Sequence, residues 1–270
     1  MVKVTLKDHQ VLRGRLVGRS ADTVSIELGE GGVSQFPISS VEQVDEDRTS
    51  TVRDGQLWPA DPNRTRYFVT PSAMMLRRGE LSFSQKELLF TTFSYGVTDW
   101  LSVQAGSVLP MLFINNGANF IGAVKVGHSI GERFHLAGGT QALVLPSVTS
   151  SSGPMGAGVV FVTGTYGTSD LHVSLSAGKP IFLSQTSALS GPLLFTGSLN
   201  ARLARSAALI SETWVMPSFE GPGFFIASAA GVRLMGDHFA VDLGLVELGT
   251  ERGSATNLVP LPWLDFTYNF

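Results

Sequence analysis

The chain has no cysteine, which excludes a disulfide framework, a thiolate metal site and a cysteine nucleophile. Charged residues make up only 15% of the 270 residues, against 43% hydrophobic ones, well below the charge of an average soluble domain. Even so, no apolar run approaches the roughly 18 residues that a spanning helix needs. Net positive charge is also missing. A formal charge of −3 argues against an electrostatic grip on nucleic acid, and no nucleic-acid partner is expected. There is no HExxH or similar spacing among the five histidines and no Gly-x-Ser-x-Gly elbow, so neither a metal, a cofactor nor an enzymatic activity is expected.

What remains is a chain of strands. Thirty glycines, with many β-branched residues and phenylalanines, favour strands and tight turns over helices. Low charge without a spanning helix then fits a barrel whose lipid face alternates with its lumen face. Met1–Lys7 alternates and lacks the continuous apolar stretch of a secretory signal, so export requires a leader removed from this sequence or encoded upstream of it.

Three segments are expected: residues 1–45, a polar linker over 46–64, and a barrel over 65–270. The first reads as short strands at Val2–Leu6, Val11–Val17, Thr23–Leu28, Val33–Pro37 and Val41–Val44, joined by tight turns. Leu6-Lys7-Asp8, Leu12-Arg13-Gly14-Arg15-Leu16 and Asp22-Thr23-Val24-Ser25-Ile26 resemble Sm-like and related SH3-like small barrels. Such modules often bind RNA, but acidic residues follow Arg13, Arg15 and Arg19 closely. A packing or docking module, with a periplasmic protein as partner, is the expectation. The linker carries two prolines and no periodicity, as a strap across a barrel mouth would.

From Arg66 the pattern predicts twelve strands. They are Arg66–Leu76, Leu81–Gly96, Leu101–Phe113, Phe120–Ser129, Phe134–Pro146, Ala157–Gly167, Leu171–Phe182, Leu193–Leu203, Ala207–Phe219, Phe224–Met235, Phe239–Gly249 and Val259–Phe270. Short and long connections alternate along most of the chain, so one rim of an up-and-down antiparallel barrel would be tight and the other looped. Tyr95, Trp100, Phe134, Tyr166, Phe239, Tyr268 and Phe270 fall near the short-turn end. Phe113, Phe120, Phe182, Phe219, Phe224 and Phe225 fall near the long-loop end. Two aromatic girdles flanking an aliphatic band are what a bilayer selects.

On the last strand Leu264, Phe266, Tyr268 and Phe270 share one face. An alternating final strand ending on Phe resembles the C-terminal signal read by the outer-membrane barrel assembly machinery. Asn63–Phe68, Gly79-Glu80 and Tyr95–Val103 also resemble uncharacterised outer-membrane β-barrel proteins of Gram-negative bacteria. These resemblances imply a bacterial outer-membrane location, a lipid bilayer and the assembly machinery as partners, and a porin-like fold.

Alternation assigns Gln104, Lys125, Gln141, Asn200, Arg202, Glu212, Arg233, Asp242 and Asp265 to the lumen. Twelve strands enclose more space than the eight that side chains just fill. A narrow, weakly charge-selective channel for small solutes follows as an expectation, with Lys125, Arg202 and Arg233 facing Glu212, Asp242 and Asp265. Two other readings stand beside it. The charges could pair across a plugged lumen, or the barrel could anchor a structural protein whose residues 1–45 dock a partner.

Overall fold

The computed structural model describes residues 2–8, 10–28, 32–46, 51–53, 56–113, 119–145, 155–183, 187–218, 223–250 and 260–270. Chain contacts divide it into two units, residues 1–60 and 61–270.

The first unit begins with β1 (Val2–Leu6), β2 (Val11–Arg19), β3 (Thr23–Glu27), β4 (Val33–Pro37) and β5 (Val41–Glu46), with a 3-10 turn at Ile38–Ser40. They form one antiparallel sheet in the order β4-β3-β2-β1-β5. Val2, Val4, Leu6, Val24 and Ile26 are buried together, with Leu12, Leu28, Phe36, Ile38, Val41 and Val44 packed against them. Burying every second residue is what a sheet covered on one face requires. Gly14 lets β2 approach β3 closely, since a Cβ there would lie 2.5 Å from the Glu27 carbonyl oxygen. Strands β4 and β5 stand at the two edges and are not paired with each other. The described residues therefore show a sheet, and closure into a small barrel is not among their pairings. A short hairpin, β6 (Thr51–Arg53) and β7 (Gln56–Trp58), follows, with the Arg53 guanidinium 4.6 Å from the centre of the Trp58 ring.

The second unit is a closed barrel. Its strands are β8 (Leu81–Lys86), β9 (Phe90–Thr98), β10 (Leu101–Val108), β11 (Phe120–Ile130), β12 (Phe134–Leu145), β13 (Met155–Gly167) and β14 (Leu171–Leu183). A short β15 (Ala188–Ser190) pairs only with the end of β14. Then come β16 (Leu194–Ala204), β17 (Ala207–Pro217), β18 (Phe224–Met235), β19 (Phe239–Thr250) and β20 (Leu261–Asn269). Twelve strands pair antiparallel, each with its neighbours in sequence, and β20 closes on β8. Closure removes the unpaired edges that an open sheet would expose. A single helical turn, α1 (Leu109–Leu112), follows β10.

Connections of two or three residues join β9 to β10, β11 to β12, β13 to β14, β16 to β17 and β18 to β19. At the opposite rim, all but one of the connections are six to eleven residues long. The exception is the β8–β9 turn, where Glu87 (φ 52°) and Leu88 (φ 57°) both take left-handed conformations. That pair makes a tight turn of the kind whose twist suits a hairpin, with the Leu89 N–H donating to the Lys86 carbonyl at 2.9–3.0 Å geometry (3.0 Å). Glu87 is tied to β20 as well, its carboxylate accepting from the Leu264 N–H at 2.7 Å.

Two expectations are corrected here. Leu81–Gly96 is not one strand but the β8–β9 hairpin, and Arg66–Leu76 is not a wall strand at all. The strand count of twelve survives because the two errors cancel. The second error has a physical signature, because Pro71 cannot donate to a sheet ladder on both sides of a wall strand. The segment that was read as the end of a linker, Asp61–Arg64, also belongs to the barrel unit, and Asp61, Asn63 and Arg64 are buried there.

The barrel inverts the usual soluble pattern. On β14, His172 and Ser174 are 1% and 2% exposed, while Val173 and Leu175 are 49% and 75% exposed. Leu264, Phe266, Tyr268 and Phe270 all face outward on β20 or just past it, alternating with the buried Asp265, Thr267 and Asn269. Of the expected aromatic girdles, the short-turn set is exposed throughout, as are Phe113, Phe120, Phe182 and Phe224. Phe225 is half-buried instead, and Phe219 lies outside the described residues. The aliphatic band is also interrupted by Phe83, whose ring meets Phe93 and Phe266 at 5.2 and 6.4 Å.

Candidate functional site

Residues 61–76 fold into the barrel as an internal plug. Their hairpin is closed by Tyr67 N–H to the Thr70 carbonyl at 2.9 Å and Ser72 N–H to the Thr65 carbonyl at 3.0 Å, with a bridge between Arg66 and Pro71. At its tip the fully buried Phe68 packs on Ile210 and Ala229, with Trp214, Val246 and Trp263 around it. Gly244 makes that seat, since a Cβ there would meet the Phe68 ring at 2.8 Å.

Charge fixes the rest of the plug. Arg233 is fully buried between Asp61 and Asp242, at 2.7 Å from each, and its guanidinium also donates to the carbonyls of Asn63 and Arg66. Asn63 Nδ2 completes the cluster by donating to Asp242 at 3.0 Å. Arg66 pairs with Asp265 at 2.5 Å and donates to Ser84 and Thr267. Glu212 accepts the backbone N–H groups of Val69 and Thr70 at 2.8 and 3.0 Å, and Trp214 Nε1 donates to the Thr70 hydroxyl. On the opposite wall, Lys125 donates all three protons to plug carbonyls, those of Thr65, Ser72 and Met74 at 3.2, 3.1 and 2.8 Å. Tyr67 shares a hydrogen bond with Ser174 at 2.7 Å. Each buried charge has a partner of opposite sign or a set of peptide dipoles, as low-dielectric surroundings demand.

The stem is held at the rim of short turns. Arg64 pairs with Glu80 at 2.5 Å, and Glu80 also accepts the Arg77 N–H at 2.9 Å. Burial by itself would raise the Glu80 pKa, but the Arg64 charge and its hydrogen bonds outweigh it and hold the carboxyl below its ordinary value.

The nine residues assigned to the lumen all lie on the polar inner face, but their pairings differ from those expected. Only Arg233 and Asp242 face one another. Arg202 pairs with Asp170 of the β13–β14 turn at 2.8 Å. Lys125, Glu212 and Asp265 bind plug residues, and Asn200 donates to the Ser169 carbonyl at 3.2 Å. Gln104 donates to Thr92 and Ser94 at 3.1 and 3.2 Å, and Gln141 lines a cavity beside the plug. Sequence reasoning missed Asp61, Arg64, Arg66, Tyr67, Asp170 and Lys86. The first four sit where a linker and a strand were expected, although two arginines inside a supposed membrane strand were a usable signal.

No protein-family model matches this chain, and no curated protein does. Solved structures of similar fold include a NanC porin, with 10% identity over 70% of this chain and 97% of its own and a TM-score of 0.43. Another is outer-membrane-expressed OmpT of Vibrio cholerae, with 10% identity over 100% of this chain and 94% of its own and a TM-score of 0.41. A loop-deletion mutant of the same OmpT gives 12% identity, 100% and 96% coverage, and a TM-score of 0.43. Nothing about the activity of this chain follows at that distance.

The chemistry of the interior is that of binding and positioning. Among the described residues there is no group of three or more His, Asp or Glu side chains able to hold a metal. The plug leaves one cavity of about 80 Å³ against the β8–β13 wall, lined by hydroxyls, amides and cations.

Proposed function

We propose that this protein spans a bacterial outer membrane and passes small solutes, with weak charge selectivity, through a lumen narrowed by its own plug. The membrane reading is supported by the closed barrel with a polar interior and an outer face of Val, Leu and Phe. In hydrocarbon only a structure with every backbone group paired is stable, and closure supplies this. Leu264, Phe266, Tyr268 and Phe270 then serve as the segment read during assembly. The observation that carries the passage reading is the water-accessible, polar cavity that persists beside the plug.

A resting barrel of this kind conducts weakly. Replacing Arg66 and Asp265 together by Met and Asn removes one plug anchor without stranding a buried charge. In planar bilayers the wild type is expected to give small, steady currents, and the double variant currents several-fold larger. Absence of conductance in both would overturn the passage reading.

The number of plug anchors favours a second reading. A barrel held shut by these contacts could act as an anchor, with residues 1–45 forming an SH3-like module that docks a periplasmic protein. Deleting residues 1–45 would abolish cross-linking to that partner while leaving the barrel folded. Unchanged cross-linking would rule this reading out.

A further inference from the structure

The charges of the lumen are unevenly spread. Among the described residues, Glu212, Asp242 and Asp265 line the β17–β20 arc, and each is engaged by the plug or by Arg233. The cavity on the other side of the plug is lined by Arg66, Lys86 and Lys125, and by no carboxylate at all. Arg66 and Lys125 are committed to the contacts described above. Lys86 is not. It stands directly across the β8–β20 pairing from Asp265, but that carboxylate is taken by Arg66. Among the described residues Lys86 has no hydrogen-bond or ion-pair partner. Ser102, 6% exposed on the same cavity wall, has an Oγ with no partner either, and Gln141 completes the wall.

An ammonium and a hydroxyl, both uncommitted and facing an enclosed polar space without a competing anion, form a receptor for negative charge. Partly buried cations are also less screened than surface ones, so their field in the cavity is strong. Space of about 80 Å³ holds roughly five waters on the scale where one needs about 15 Å³, which limits the guest to a small ion.

We propose that this cavity is a binding site for a small carboxylate anion, held by the Lys86 ammonium and the Ser102 hydroxyl, in the field of Arg66 and Lys125. This names the solute class for the passage reading and rests on it for physiological meaning, but binding is measured without any current. Sodium acetate is titrated calorimetrically into the full-length protein refolded in detergent, against sodium chloride at equal ionic strength. Saturable heat specific to acetate is expected, with affinity falling at least tenfold in Lys86→Met, recovering in Lys86→Arg, and falling about threefold in Ser102→Ala. Folding of each variant is checked by its heat-dependent shift on an SDS gel. No saturable acetate heat in the wild type, or equal affinity in a folded Lys86→Met, would overturn the site. Binding without conductance would leave the site standing and overturn only the passage reading.

Discussion

Strand β3 and strand β14 use the same alternation for opposite ends. In β3, Val24 and Ile26 are fully buried, and the sheet of the first unit hides its apolar side. In β14 the buried residues are His172 and Ser174, while Val173 and Leu175 are turned outward. A period of two identifies a strand in both cases, but it does not say which face meets water. That is decided by closure. A five-stranded sheet hides one apolar face against its own turns, whereas a twelve-stranded ring encloses a space that polar side chains and a plug fill. The same side-chain chemistry is therefore core in one unit and lipid-facing surface in the other.

The contrast is sharpest at buried charge, which the first unit's core lacks and the barrel depends on. Arg233→Met strands Asp61 and Asp242 without their cation and is expected to cost about 3–5 kcal/mol. Urea unfolding of the refolded barrel would register this, and adding Asp61→Asn and Asp242→Asn should restore much of it. The next test concerns the outer face. Leu175→Arg, at a position 75% exposed, would be nearly neutral on a soluble protein, within about 0.5 kcal/mol. In a bilayer it is expected to cost about 2–4 kcal/mol, read from unfolding in lipid vesicles.

Smaller effects separate the two units. Gly14→Ala drives a Cβ to within 2.5 Å of the Glu27 carbonyl and should destabilise the first unit by about 1–3 kcal/mol. Limited proteolysis would then cut residues 1–60 sooner while the barrel remains intact. The least of the four is Glu80→Gln, at about 1.5 kcal/mol for the lost charged hydrogen bonds. Because Arg64 holds the folded Glu80 pKa below its ordinary value, the stabilisation is complete above the unfolded carboxylate pKa. It disappears as pH falls through the lower folded value. The stability gap between wild type and Glu80→Gln should therefore be constant near neutrality and close in acid.

Most of the wall was legible in the sequence because each lipid-facing residue is apolar and each turn carries its own signal. The β8–β9 turn was not, since Glu87 and Leu88 adopt left-handed conformations that glycine or asparagine usually advertise. The plug was hidden for a different reason. From Arg66 to Leu76 polar and apolar residues alternate much as in a wall strand, and only Pro71 and the two arginines argue otherwise. The inward positions were readable one by one, but their partners were not. A pairing such as Arg233 with Asp61 spans 172 residues, and no local pattern records it.

The central claim is a closed, lipid-facing barrel, and the most direct test compares boiled and unboiled samples on an SDS gel. Protein refolded in detergent should resist SDS, migrating at a different position until heated, while an aqueous sample should not yield this form. A protein fully soluble in water, with no heat-dependent shift, would contradict the account.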